Sequence, residues 1–159
     1  MIFLSKWYRL DNAAKIFPPS KSKKDPKTFR FSVTLYEEVK VDVLNKALKE
    51  TLEEYPIFKS ILKKGIFWYY LEEVDKKYEV KMEDKSPCSK INHNNLFEVS
   101  VYKNRINLEV DHALTDGTGT LTFLKSLVAN YLNKLYNIKN NEVINEGSIK
   151  EIKEDAFKK

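Results

Sequence analysis

The stretch 97-FEVSVYKNRINLEV-110 constrains this chain more than any other. Phe97, Val99 and Val101 alternate with polar neighbours as far as Lys103-Asn104, and Ile106, Leu108 and Val110 resume the alternation beyond it. A period of two places each apolar set on one face of an extended strand, and a two-residue break between matched sets is a hairpin. Such a hairpin has a face to bury, so it needs further strands beside it and helices over it. Carried one step past Val110, the alternation lands on His112. The histidine therefore falls on the apolar face, with Glu109 and Asp111 on the other.

The rest of the chain supplies those elements. In 28–36, Phe29, Phe31, Val33 and Leu35 alternate as in a half-buried strand. Over 41–56, Leu44, Ala47, Leu48, Leu52 and Tyr55 recur at helical spacing, with Asp42 placed as N-cap and Pro56 beyond the end. FKSILK and IFWYYLEE flank Lys64-Gly65 as a strand pair or one bent strand, and YEVKM at 78–82 is a further short strand. After Gly119, Leu121, Leu124, Leu127, Tyr131, Leu132 and Leu135 give a second helix, with Thr118 or Thr120 as N-cap and Asn137 as its stop. Asp11 can cap a short helix over 12–17, ended by Pro18-Pro19. Residues 18–27 form an exposed loop and 138–159 a polar connecting or terminal segment. The expected class is α/β, of a two-layer α+β-like kind, with helices packed on a mixed, largely antiparallel sheet.

Composition removes several function classes. With 42% hydrophobic and 32% charged residues over 159 positions, the chain is globular and of single-domain size. No run reaches the roughly 18 apolar residues of a membrane span. The start, MIFLSKWYRL, is too briefly apolar for a signal-peptide core, so the expectation is a cytoplasmic protein. One cysteine, Cys88, forms no internal disulfide, and Cys88 with His93 makes too small a ligand set for a metal site. The net charge of +5 is carried by lysine, the arginines being Arg9, Arg30 and Arg105. Phosphate and base-edge reading favours arginine, so no nucleic-acid partner is expected. The aromatic GIFWYYLEE with Lys63 and Lys64 raises a membrane or nucleic-acid surface. However, Ile66, Trp68 and Tyr70 alternate with Phe67, Tyr69 and Leu71 as in a strand packed on both faces, so no membrane partner is expected either.

A chain with two histidines and four glycines places His112, Gly117 and Gly119 within 110-VDHALTDGTG-119. The bland meaning is a turn between strand and helix. An imidazole at a strand end, pinned by a turn, is equally suited to moving protons near neutral pH. Asp116, just before a glycine, more often shapes its own turn than reaches back to the histidine, and Gly117 allows a positive φ or a close backbone approach.

His112-x-x-x-Asp116-Gly117 resembles the motif of the coenzyme-A-dependent acyltransferase superfamily. That superfamily includes chloramphenicol acetyltransferase, the plant BAHD acyltransferases and the condensation domains of nonribosomal peptide synthetases. WYRLDNAAKIFP near the N-terminus and EDAFKK at the C-terminus are similar to its alcohol acetyltransferase branch. The resemblance implies two similar α/β halves with a channel between them, of which residues 1–137 are the first half and 138–159 the connection onward. It implies that His112 is the general base for attack of an alcohol or amine acceptor on acyl-CoA. It also implies that Asp116 is a structural carboxylate paired with an arginine, and that Gly117 keeps the channel open. Acyl-CoA would be a co-substrate, with no metal. The chain departs from the pattern at Asp111, where condensation domains carry a second histidine. It also lacks an Asp-Phe-Gly-Trp-Gly motif, which belongs to the family's second half. The half alone is expected to be inactive, its partner being the missing half or a second copy. The alternative is a non-catalytic half-domain that binds or dimerises.

Overall fold

A computed structural model of the chain describes residues 6–10, 27–91 and 95–137. In chain order the elements are β1 (Trp7–Arg9), β2 (Thr28–Thr34), α1 (Val41–Glu54), a 3-10 turn over Pro56–Lys59, β3 (Ser60–Lys64), β4 (Tyr69–Glu73), β5 (Lys81–Met82), β6 (Phe97–Tyr102), β7 (Arg105–Asp111) and α2 (Gly117–Tyr136). The short helix expected over 12–17, the 18–26 part of the loop and the segment 138–159 lie outside the described residues.

The hairpin forms where the alternation places it: Tyr102 pairs with Arg105 across Lys103-Asn104, and Phe97 with Val110. Its tip is tied to the β2–α1 connection, where Leu35 and Val39 donate their amides to the carbonyls of Asn104 and Lys103. Beside the hairpin, β2 pairs antiparallel with β7, setting Phe29, Phe31 and Val33 opposite Val110, Leu108 and Ile106. β5 adds to β6 in parallel. The strands divide into two sheets, β2-β7-β6-β5 and β1-β4-β3, and among the described residues a bridge between Ile61 of β3 and Asn95, just before β6, links them.

Both helices bury their apolar stripes against the first sheet and each other. Ile106, Leu108 and Val110 are wholly buried with Leu44, Ala47, Phe123 and Leu127, each large side chain contributing roughly 1.5–3 kcal/mol. At the centre Phe58 stacks on Phe123 with ring centroids 3.9 Å apart, and Phe97 meets both rings edgewise or tilted. The 3-10 turn after α1 exists to deliver Phe58 there: Pro56 stops the helix and turns the chain inward.

Several boundaries differ from expectation. Lys40, not Asp42, occupies the N-cap of α1, and Asp42 lies in the first turn, where its charge favours the helix dipole. The expected strand 78–82 contracts to Lys81–Met82 because Val80 donates its amide to the Asn45 side chain of α1. The stretch 65–71 is not a strand throughout. Gly65 donates its amide to the Trp68 carbonyl at 2.7 Å, closing a turn, so Ile66, Phe67 and Trp68 leave the sheet and stand in solvent. A Cβ at position 65 would lie 2.9 Å from that carbonyl oxygen, so this turn requires glycine. Asn137 stops α2 as expected, in the left-handed conformation with φ of 52°.

Candidate active site

The segment after β7 is built around its aspartates. Asp111, the last strand residue, donates its amide to Leu96. Its carboxylate then accepts the Ala113 amide at 2.9 Å, and its carbonyl accepts the Leu114 amide at 2.9 Å. This tight turn buries Ala113 and Leu114 as anchors and leaves His112 half-buried between them and the strand. The His112 amide donates to the Lys27 carbonyl at 2.9 Å, which ties the turn to the start of β2. Lys27 takes a φ of 58° to present that carbonyl, an uncommon conformation for a side-chain-bearing residue. The imidazole lies over the Phe29 ring, with centroids 4.4 Å apart and planes inclined by 38°. Phe29 pairs across the sheet with Val110, so His112 is on the helix-facing side of β7, as its parity predicts. An imidazole fixed by a backbone tie and an aromatic platform, yet not sealed from solvent, has the access and the orientation that proton transfer needs.

Asp116 shapes its own turn, as an aspartate just before a glycine is expected to. It is the N-cap of α2: its Oδ1 accepts the Gly119 amide at 2.9 Å, and its carbonyl accepts both the amide and the hydroxyl of Thr120. Thr118 and Thr120 are therefore not the cap. Nor does an arginine pair with Asp116: Arg30 and Arg105 are engaged with glutamates on the first sheet, and Arg9 lies on β1. Gly117 is the first residue of α2 and has no positive φ. Its Cα faces Phe31, 3.7 Å from where a Cβ would stand, which is ordinary contact. Of the two properties a glycine here allows, positive φ is not used at Gly117; among the described residues left-handed backbone is found at Lys27, Cys88, Lys103 and Asn137.

The other face of the first sheet, on which Glu109 was placed by parity, holds a buried polar network. Asn107 (0% exposed) and Glu109 (2%) are buried there on β7. Arg30 binds Glu109 at 2.7 Å and Glu83 at 2.6 Å, and Arg105 binds the second oxygen of Glu83 at 2.6 Å. Asn107 links Ser32, Ser100 and Arg105. Burial alone would lower the Arg30 guanidinium, but the hydrogen bonds to Glu83 and Glu109 outweigh it and hold its pKa up. Those from Arg30, against some burial, and from Arg105 hold the Glu83 carboxyl below its ordinary range. The Cys88 amide also donates to Glu109. Burial, reinforced by Glu109 against the pull of Arg30, raises the Cys88 thiol, the opposite of what a nucleophile needs. This network braces β7 from the face opposite Val110. His93 lies outside the described residues, and among those described no three side chains gather as metal ligands.

Phe29 and Lys27 are site residues that the sequence did not single out, and Asp111 was marked only as a departure from the family pattern. The 28–36 alternation marked Phe29 as apolar, but only the β2–β7 register sets it beneath His112.

No protein-family model matches the chain, and no curated protein matches it significantly. Solved structures do. The starter condensation domain of rhizomide synthetase, as a mutant in complex with C8-CoA, superposes with a TM-score of 0.67 at 11% identity, covering 94% of this chain and 41% of that one. The epimerization domain of tyrocidine synthetase B gives 0.67 at 11%, covering 89% and 37%. Polyketide synthase associated protein 5 from Mycobacterium tuberculosis gives 0.61 at 16%, covering 81% and 33%. At such identities the likeness is one of fold. The chain has the architecture of part of a condensation-domain-like structure, and it spans between a third and about two-fifths of the length of these proteins.

Proposed function

We propose that this chain is the first lobe of a two-lobed, acyl-CoA-dependent acyltransferase of the alcohol acetyltransferase type, with His112 as general base. Residues 1–137 form the lobe and 138–159 the connection to the second. The observation that carries this reading is the placing of His112: at the end of a central strand, on the Phe29 ring, in a fold shared with condensation domains. In the proposed step an imidazole nitrogen takes the proton of the acceptor hydroxyl or amine as its oxygen or nitrogen attacks the thioester carbonyl. The carbon–sulfur bond then breaks, and the departing CoA thiolate receives the proton from the imidazolium. Asp116 and Gly117 serve by fixing the turn that holds His112.

The test is free-thiol release by the protein expressed with everything its reading frame encodes beyond Lys159. Acyl-CoA with a panel of alcohols and amines should give acceptor-dependent CoA. Release no faster than hydrolysis with either acceptor class would overturn the reading.

A second reading, a non-catalytic half-domain that binds or dimerises, is favoured by the coverage of only 33–41% of the solved relatives. Its signature is a homodimer of the 159-residue chain in sedimentation, and a monomer would count against it.

A further inference from the structure

The β3–β4 turn carries a surface feature that acyl transfer does not use. Ile66, Phe67 and Trp68 follow one another at its tip, 91%, 84% and 62% exposed. Trp7, 64% exposed on β1, sets its ring edge against Tyr70, 6.3 Å away. The tip is held out by design of the turn: the Gly65–Trp68 hydrogen bond closes it, and Gly65 accommodates the carbonyl at a distance no other residue permits. Three basic residues collar it. The register sets Arg9 and Lys63 on either side of Tyr70, and Lys64 opposite Tyr69. Lys63 has Glu72 at 3.7 Å and Lys64 lies 5.8 Å from the centre of the Tyr69 ring. From Pro56 to Leu71 the chain holds no carboxylate. The expectation of no membrane partner rested on packing these side chains within a strand, and the turn removes that support.

We propose that this tip is a membrane-surface wedge that inserts Phe67 and Trp68 at the interface of an anionic phospholipid bilayer while Arg9, Lys63 and Lys64 meet the headgroups. Tryptophan and phenylalanine beside lysine is the composition of interfacial anchors, and basic residues near the surface add attraction to anionic lipid. A protein partner fits less well. A second lobe or a second copy closing over the apolar tip would also have to neutralise the collar, because charges buried without partners are costly.

Trp7 and Trp68 are the chain's two tryptophans, and both belong to this surface, so intrinsic fluorescence reports on it directly. The 159-residue chain is titrated with vesicles of phosphatidylcholine mixed with phosphatidylglycerol, and with pure phosphatidylcholine. The expected result is a blue shift with the mixed vesicles only, reversed by salt. Phe67→Ser should weaken binding roughly tenfold and Lys64→Glu at least about fivefold, both with unchanged thermal unfolding. Absence of a shift, or equal binding to both vesicles that salt does not alter, overturns the proposal. So does a shift that appears with protein concentration alone, which would assign the tip to a second copy. None of these outcomes depends on acyl transfer, which is measured separately by thiol release.

Discussion

Replacing Asp116 separates two accounts of the same carboxylate. The family resemblance makes it a charge paired with an arginine, in which case Asn and Ala should damage the protein alike. The structure makes it the N-cap of α2, accepting the Gly119 amide at 2.9 Å. Asparagine offers the same carbonyl oxygen at that position and ranks with aspartate as a cap, whereas alanine offers none and costs about 1 kcal/mol, within a range of roughly 0.5–2. The carboxylate charge at a helix N-terminus adds about 0.3–1 kcal/mol, which Asn also forfeits. Asp116→Asn should therefore lose about 0.3–1 kcal/mol, and Asp116→Ala about 0.8–3 kcal/mol. For a chain of this size that is a fall in Tm of about 2–4 °C per kcal/mol. Thermal and urea unfolding of the two variants beside wild type is the assay. Asp116→Ala indistinguishable from wild type, or Asp116→Asn as damaging as Asp116→Ala, would refute the capping role.

Phe123→Ala removes a wholly buried ring stacked at 3.9 Å on Phe58; it should cost about 3–5 kcal/mol, a large part of a typical domain's stability, read by urea unfolding. Gly117→Ala should leave stability unchanged or raise it by up to about 1 kcal/mol, since its Cβ meets Phe31 only at 3.7 Å in a helical residue; loss of acyl transfer in that stable variant would mark Gly117 as the residue that keeps the channel open, and loss of folding would contradict its geometry. Acid should destabilise the chain through two carboxylates. Arg30 and Arg105 hold Glu83 low, and at Glu98 burial pushes the pKa up but the Lys81 and Lys85 ammoniums outweigh it and hold it low. Groups with depressed folded pKa stabilise above the ordinary value of 4.5 and lose that contribution as pH falls through the folded one. Stability measured by urea unfolding should thus be flat just above pH 4.5 as far as these groups are concerned and decline below it, and Glu83→Gln should reduce the decline.

The hairpin, both helices and the position of His112 were legible because each rests on a local period. Alternation fixes which way Val110 and His112 point whatever the strands beside them. Asn137 was legible as a stop because asparagine tolerates the left-handed backbone. What was not legible depends on contacts distant in sequence. Alternation in 66–71 has the same appearance in a two-faced strand and in an aromatic turn, and the Gly65–Trp68 hydrogen bond decides between them. Parity separates the polar positions of β7 from the apolar ones but does not show that Asn107 and Glu109 are buried; they are, because Arg30 on β2 and Glu83 beyond β5 close over them. The cap of α2 was placed two to four residues late, since two threonines in the first turn carry the same chemistry as Asp116 and only the fold shows which side chain meets the Gly119 amide. Around His112 the histidine was marked by its neighbours in sequence, but its platform, Phe29, and its tether, Lys27, come from a strand some eighty residues earlier.

The proposed role of His112 as the base in acyl transfer is met directly by one substitution. His112→Ala, in the protein carrying all that its frame encodes beyond Lys159, is compared with wild type for acceptor-dependent CoA release, with circular dichroism confirming the fold. The expected result is a loss of about 10²–10⁴-fold in rate with the fold intact. A folded His112→Ala protein that transfers acyl groups at the wild-type rate would contradict it.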